Sequence, residues 1–286
     1  MLFFTLRRVF IGYIKLIFYR GAIPHGYPLF FYAGIMPAFI FSKKEEYILA
    51  LTVKKKFTPY NHNKLPNRQV KYIVIHWVGS ASSAKNNADY FYSGDRRASA
   101  HYFVDDNECW QIVKESDVAW AVGGGPLDQG SPYAKYGKKY FGKCTNSNSI
   151  SIEMCCTKDK NGKLYITDKT IENTGKLVRG IQKRWNIDDE HVISHFLVNG
   201  KICPGPYVEP LAWEKLHSIL VGKYFKIRAL GDLIAREEAS LNSTQTRRLN
   251  KGTVYGIIDT AAGGTRGKTV RGDWVTITEK YAEKVK

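Results

Sequence analysis

Two β-branched runs, "VKYIVIHWV" at 70–78 and "HVISH" at 191–195, lead into histidines: His76 sits where the first runs out, and His195 ends the second. Runs of this kind read as strands buried within a sheet. Adjacent strand ends are where α/β folds put their sites. The stretch between them supplies the rest of such a fold. "SSAKNNADYFYSG" (82–94) reads as a short helix ended by Gly94, and "SAHYFVDDNECWQIV" (99–113) as two strands about an Asp105-Asp106-Asn107 turn. In "SISIEMC" (149–155), Ile150, Ile152 and Met154 alternate with Ser151, Glu153 and Cys155, so Glu153 faces away from the isoleucines. "KTIENTGKLVRGIQKRW" puts Ile171, Thr174, Leu177, Val178, Ile181 and Trp185 on one helical stripe. "EPLAWEKLHSIL" begins a last helix at Pro210, a first-turn position that suits proline. Strands alternating with helices predict an α/β domain over 65–221.

The flanks differ in texture. Residues 1–50 carry aromatic-rich apolar runs broken by Arg7, Arg8, Lys15, Pro28 and Pro37, too interrupted for a spanning helix. They fit a signal peptide poorly and leave a membrane-surface segment or signal-anchor as one reading. The other is that residues 1–48 are untranslated upstream sequence. Lys44-Glu45-Glu46 can encode a purine-rich ribosome-binding sequence and Leu49 a TTG start. Membrane association is expected only if this leader is real. Residues 51–64 read as a polar linker. Beyond Gly222, short β-prone pieces, Gly-rich turns and a hairpin signal at Lys251-Gly252-Thr253-Val254 predict a small all-β barrel over 222–286.

The whole chain of 286 residues has a formal charge of +17, which favours a polyanionic partner: nucleic acid, an anionic membrane, or a teichoic-acid-bearing wall. No aromatic and basic surface motif accompanies the charge, which argues against nucleic acid. The C-terminal segment shares the bias, with thirteen basic and seven acidic residues. Five cysteines, an odd number in a chain too long to need disulfide staples, point to reduced thiols.

Cys203 lies eight residues after His195 across a turn containing Gly200, far enough for the chain to reverse and return sulfur toward imidazole. Two histidines and a thiolate form a known catalytic zinc set with a fourth position for water. A buried apolar cysteine is the plain alternative. A nucleophile is the third, without a visible activating partner. Glu153, a carboxylate among apolar strand residues, must be paired or used. Beside such a metal it suits proton transfer, and Lys201 suits an oxyanion.

The ordered motifs "YIVIHWVGS", "ASAHYFVDD", "AWAVGGG", "SISIEMC" and "HFLVNGKICPGP" resemble the zinc-dependent N-acetylmuramoyl-L-alanine amidases of the type-2 family, related to peptidoglycan recognition proteins, over about 65–221. The likeness is to phage endolysins and prophage autolysins. It implies a central mixed β-sheet flanked by helices, with Zn2+ held by His76, His195 and Cys203. It also implies Glu153 as general base, Lys201 as transition-state stabiliser and His101 as a substrate contact. The implied reaction splits the amide between N-acetylmuramoyl and L-alanine of bacterial peptidoglycan, at the cell wall after release from the cytoplasm. A non-catalytic peptidoglycan-binding module is the alternative, and such modules usually lack the cysteine. The chain departs from the family pattern at Ala100, where some relatives have tyrosine. It also departs at Ala121, where many have histidine, and at Leu197, where many have aspartate. Altered substrate contacts are expected there rather than lost zinc. "LNKGTVYGI" and "GDWVTI" resemble, more weakly, a bacterial SH3-like cell-wall-binding domain, expected to grip the wall or its anionic polymers.

Overall fold

The computed structural model describes residues 51–285. The leader expected over 1–50, with its membrane and start-site readings, lies outside the described residues. Among the described residues no helix is long and apolar enough to cross a membrane.

In chain order the first region contains β1 (Val53–Lys55), β2 (His62–Lys64), β3 (Tyr72–Ala81), α1 (Ala84–Tyr92), β4 (Tyr102–Val104), β5 (Cys109–Gln111) and β6 (Asp117–Ala119). It continues with β7 (Ser149–Lys158), β8 (Leu164–Tyr165), α2 (Asp168–Trp185), β9 (Val192–Ser194), α3 (His195–Asn199) and α4 (Pro210–Leu220). The main sheet runs β1-β5-β4-β7-β3-β9, with β8 paired to β7. It is mixed: β5–β4 and β7–β8 are antiparallel, and the other pairs are parallel. Alternation along β3 and β7 sends Ile73, Ile75, Ile150, Ile152 and Met154 to one face, where Leu177, Val178 and Ile181 of α2 and Leu216 and Leu220 of α4 cover them. Each fully buried Ile or Leu of this set contributes about 1.5–3 kcal/mol. On the other face Tyr72, Val74 and Ile193 meet Val122, Cys144 and Val198 of α3, while Ala84 and Ala88 of α1 pack on Phe103 and Ile112.

Local chemistry fixes the ends of α2. Thr167 accepts from the Thr170 N–H, Asp168 lies in the first turn, Lys183 and Arg184 in the last, and Asn186 closes the helix in the left-handed region. These satisfy orphan backbone groups and complement the helix dipole.

Residues 51–64, expected as a linker, are built into this region instead. Val53–Lys55 pairs in parallel with β5 as the edge of the main sheet, β2 pairs with β6, and Asn61 is fully buried. Three-residue strands reading Val-Lys-Lys and His-Asn-Lys are too short to carry a hydrophobic period, so their backbone pairing left no mark in the sequence.

The C-terminal region contains β10 (Phe225–Ala229), β11 (Leu233–Arg236), β12 (Gln245–Leu249), β13 (Val254–Ala261), β14 (Arg266–Thr269), β15 (Trp274–Thr276) and β16 (Ala282–Val285). All its pairings are antiparallel, in the order β12-β11-β15-β14-β13-β10-β16. Ile227, Leu233, Leu249, Ile257 and Val275 form its core. The Lys251–Val254 segment does turn at Gly252, where φ is 79°, but it does not close a hairpin. It hands the chain from β12 to β13, which pair with different neighbours. At the junction with the first region, Lys268 Nζ donates to both carboxylate oxygens of Glu214 on α4, at 2.6 and 2.8 Å.

Candidate metal centre and active site

Strand register assembles the centre. In the parallel pair β3–β7, His76 lies opposite Glu153. In the parallel pair β3–β9, Ile75 lies opposite Ser194, so the next residue of each strand, His76 and His195, emerges side by side. Their rings meet edge to face with centroids 4.6 Å apart.

His195 is not the end of a strand but the first residue of α3. Ser194 caps that helix by accepting from the Leu197 N–H, and Gly200 ends it at φ 88°. A side chain at Gly200 would collide with the Leu127 carbonyl. The five-residue helix is too short to show a period, so the sequence read only as a turn. After Gly200 the chain reverses, and the Phe196 N–H donates to the Cys203 carbonyl at 2.8 Å. That bond returns Cys203 to the start of α3. Gly205 then lets the chain pass against the face of Trp77, where any Cβ would strike the ring.

His76, His195 and Cys203 are 2%, 2% and 3% exposed, and one ligating atom from each lies within 4.8 Å of the others. Cys203 Sγ is 3.8 Å from His76 Nδ1, and Glu153 Oε1 is 4.0 Å from the same nitrogen. His76 Nε2, both nitrogens of His195 and Glu153 Oε2 are buried without a hydrogen-bond partner. Buried polar atoms are nearly always paired, so orphaned atoms on all three of these residues, beside a thiol, fit a cation that the protein groups surround. The donor set is that of a soft-to-borderline metal, N₂S, and Zn2+ suits it.

Electrostatics agree with neutral imidazole ligands. Burial, with the positive charge of Lys201, lowers His195 to about 4, and burial with neighbouring His195 and Lys201 holds His76 well below its ordinary value. Burial pushes the Glu153 carboxyl up to about 7, against the pull of Lys201. Burial, reinforced by Glu153, raises the Cys203 thiol far above its usual range. The structure does supply Cys203 with a histidine neighbour that the sequence did not reveal. At 3% exposed its sulfur is nevertheless out of reach of a bulky substrate, which leaves the ligand and buried-cysteine readings. Lys201 itself is exposed, and its backbone N–H donates to Asn199 Oδ1 at 3.1 Å.

His101 does not reach the cleft as a substrate contact. It is fully buried, and the Ser151 N–H donates to its Nδ1 at 3.0 Å. The proton therefore sits on Nε2, which donates to the Asp117 carbonyl at 3.2 Å. Burial, with the charge of Arg68, lowers this histidine to about 3, so it is a neutral strut between β4, β6 and β7. Arg68, overlooked in the sequence, anchors the same place. Its guanidinium donates to the carbonyls of Asp117 and Ser149. A single arginine before a strand gives no signal of this. The five cysteines are all free and buried. Asp105 and Asp106 serve turns and caps, accepting from Asn107 N, Glu108 N and the Thr170 hydroxyl.

Residues 66–206 match the family model described as N-acetylmuramoyl-L-alanine amidase. The chain is 34% identical over 166 residues to N-acetylmuramoyl-L-alanine amidase CwlL of Bacillus licheniformis, a match covering 54% of this chain and 42% of that protein. It is 32% identical over 158 residues to a probable N-acetylmuramoyl-L-alanine amidase of the same organism, covering 54% and 41%. The match thus spans about two-fifths of the length of these relatives. A mutant endolysin from Bacillus subtilis superposes with a TM-score of 0.45 and 23% identity, over 59% of this chain and 99% of that one. The departures from the family pattern fall at packed positions of the first region. Ala100 is fully buried beside Phe103, and Leu197 packs on the Tyr72–Ile193 cluster.

Proposed function

We propose that this protein is a peptidoglycan hydrolase of endolysin or autolysin type that cleaves the amide between N-acetylmuramoyl and L-alanine. The observation that carries the proposal is the buried convergence of His76, His195 and Cys203 beside Glu153, within an amidase-family domain. His76, His195 and Cys203 would hold Zn2+, which supplies Lewis-acid polarisation of the scissile carbonyl and acidifies water. Glu153 takes the proton of the attacking water and delivers it to the departing L-alanine nitrogen, forming the free amine. Lys201, whose charge is felt by His76, His195 and Glu153, offsets negative charge on the carbonyl oxygen as the tetrahedral centre forms. Burial of the cluster keeps bulk water from screening these interactions.

The all-antiparallel region over 222–286 is proposed as an SH3-like wall-binding domain. Its basic bias favours anionic wall polymers, and attachment raises the local concentration of substrate. The site of action is then the bacterial cell wall, reached after release from the cytoplasm.

Digestion of purified Gram-positive walls, with and without a chelator, tests the reaction by mass spectrometry of the released ends. New L-alanine N-termini that vanish with chelator and return with zinc are expected. Wall binding without zinc content and without new L-alanine ends would replace the enzyme by a binding module of recognition-protein type.

A further inference from the structure

Between β6 and β7 the chain makes a long excursion over residues 120–148, with two one-turn helical segments and no strand or α-helix. Connections of this length are uncommon in compact domains and usually carry a task. Its base is pinned, since Asn146 Oδ1 accepts from the N–H groups of Ala121 and Val122 at 3.0 and 2.8 Å. Its middle crosses α3 and the turn that follows, as a strap.

The strap is fitted to what it crosses. The last carbonyls of a helix have no partner within it, and the strap meets three from α3. Leu127 N–H donates to the Asn199 carbonyl at 2.6 Å, Lys138 N–H to that of Phe196 at 3.1 Å and Tyr140 N–H to that of Leu197 at 2.9 Å. Two glycines allow the close approach. Gly200 faces the Leu127 carbonyl where no side chain fits, and a Cβ at Gly137 would press to 3.2 Å from the Phe196 ring. One side-chain bond joins these backbone ones: Gln129 Oε1 accepts from the Ile202 N–H at 2.7 Å. Asp128 Oδ1, accepting from the Gly130 N–H at 3.0 Å, shapes the turn that presents Gln129.

Ile202 lies between two residues of the site, Lys201 and Cys203. Cys203 has an independent tie, the bond from the Phe196 N–H to its carbonyl. The backbone bonds of Lys201 stay within its own turn. Its N–H donates to Asn199 Oδ1, and its carbonyl accepts from the Cys203 N–H at 2.7 Å. Such bonds shape a turn without fixing where it stands. Gln129 supplies the tie to another segment, 73 residues back along the chain. We infer that Gln129 is a positioning residue that, through Ile202, fixes the place of Lys201 beside the metal cluster; the inference rests on the peptidoglycan-hydrolase reading. A lysine is long and flexible, so the aim of its ammonium depends on the backbone beneath it. A misplacement of about 1 Å at a reacting group costs on the order of 100-fold in rate.

The test is hydrolysis of purified walls by the full chain and its variants, together with zinc content by elemental analysis and amide exchange. Gln129 is exposed, so substitution there leaves the core intact. Gln129→Ala should lower kcat about tenfold with KM and zinc content unchanged. Gln129→Glu, which keeps an acceptor oxygen, should restore kcat. The Ile202 amide should exchange about fivefold faster in Gln129→Ala, with zinc bound or removed, and regain protection in Gln129→Glu. On a Lys201→Ala background Gln129→Ala should cost nothing further, because a residue acting through another adds no loss once that other is gone. Full kcat in Gln129→Ala, or an undiminished loss on the Lys201→Ala background, overturns the assignment. So does a joint fall of zinc and activity, which would put Gln129 in support of the metal ligands. An unsubstituted chain that frees no L-alanine ends removes the hydrolase reading and the positioning role with it, whereas a hydrolysing chain with any of the preceding outcomes loses the positioning role alone.

Discussion

The two sheets of this chain treat buried polar groups in opposite ways. In the C-terminal sheet, Asp273 receives a two-pronged contact from Arg247, at 2.6 and 3.0 Å, together with the Thr269 hydroxyl. Arg266 spends its guanidinium on Ala239 O, Thr276 Oγ1 and Trp274 O. In the main sheet of the first region, His76, His195 and Glu153 are gathered with atoms left unpaired. Satisfied polar groups hold a fold together, while an unsatisfied cluster costs stability that only a ligand or a reaction explains. The same residue types thus have different meanings in the two regions, and the difference is visible only once partners are counted.

The largest expected effect strikes the unsatisfied cluster. Glu153→Gln should lower kcat by about 100- to 10,000-fold while zinc content, read by elemental analysis, stays at wild-type level. Cys203→Ser should instead lower zinc and activity together. Full activity with Glu153→Gln would remove its proton-transfer role.

The satisfied network should respond in stability and not in chemistry. Asp273→Ala leaves Arg247, a quarter exposed, without its partner, and a loss of about 2–4 kcal/mol is expected in urea unfolding, somewhat below that for a fully buried pair. Turnover of a soluble muramoyl-peptide should be unchanged. Burial opposes ionisation of Asp273, but the bonds from Arg247 and Thr269 outweigh it and hold the carboxyl below 3.8. Its contribution is therefore complete above pH 3.8 and fades as the pH falls through the depressed value. Asp273→Asn should flatten that acid limb; an unaltered limb would show that other carboxyls set it.

His101→Phe sharpens the contrast inside the first region. It strands the Ser151 N–H, while the Asp117 carbonyl keeps the Arg68 guanidinium, so a loss of about 1–3 kcal/mol is expected with KM for walls unchanged. A raised KM with intact stability would restore the substrate contact that the sequence suggested. The smallest effect belongs to the junction. Lys268→Ala should cost about 0–1 kcal/mol, since Glu214 remains a third exposed.

Much of the first region was legible because its signals are periodic. The alternation in 149–155 put Glu153 opposite the isoleucines, and the stripe of 169–185 matched α2. Strand-end histidines announced the cluster because register alone places them together. What escaped was written in backbone bonds. β1 and β2 lack apolar alternation, α3 is one turn long, and the Gly252 turn says nothing about which strands then pair. His101 was misjudged because family position implied a cleft residue, and only the Ser151 and Asp117 bonds reveal a strut. Arg68 and Asn146 are single polar residues whose partners lie far along the chain, so no local pattern flags them.

The pairing of Val53–Lys55 with β5 also sets a practical limit on dissecting this protein. A fragment begun at residue 65, where the recognisable motifs start, would expose the bare flank of a three-residue strand. Unpaired sheet flanks recruit other chains. Such a fragment would carry every catalytic candidate and still tend to aggregate, so its failure in an assay would reflect a missing border strand and not a missing active site.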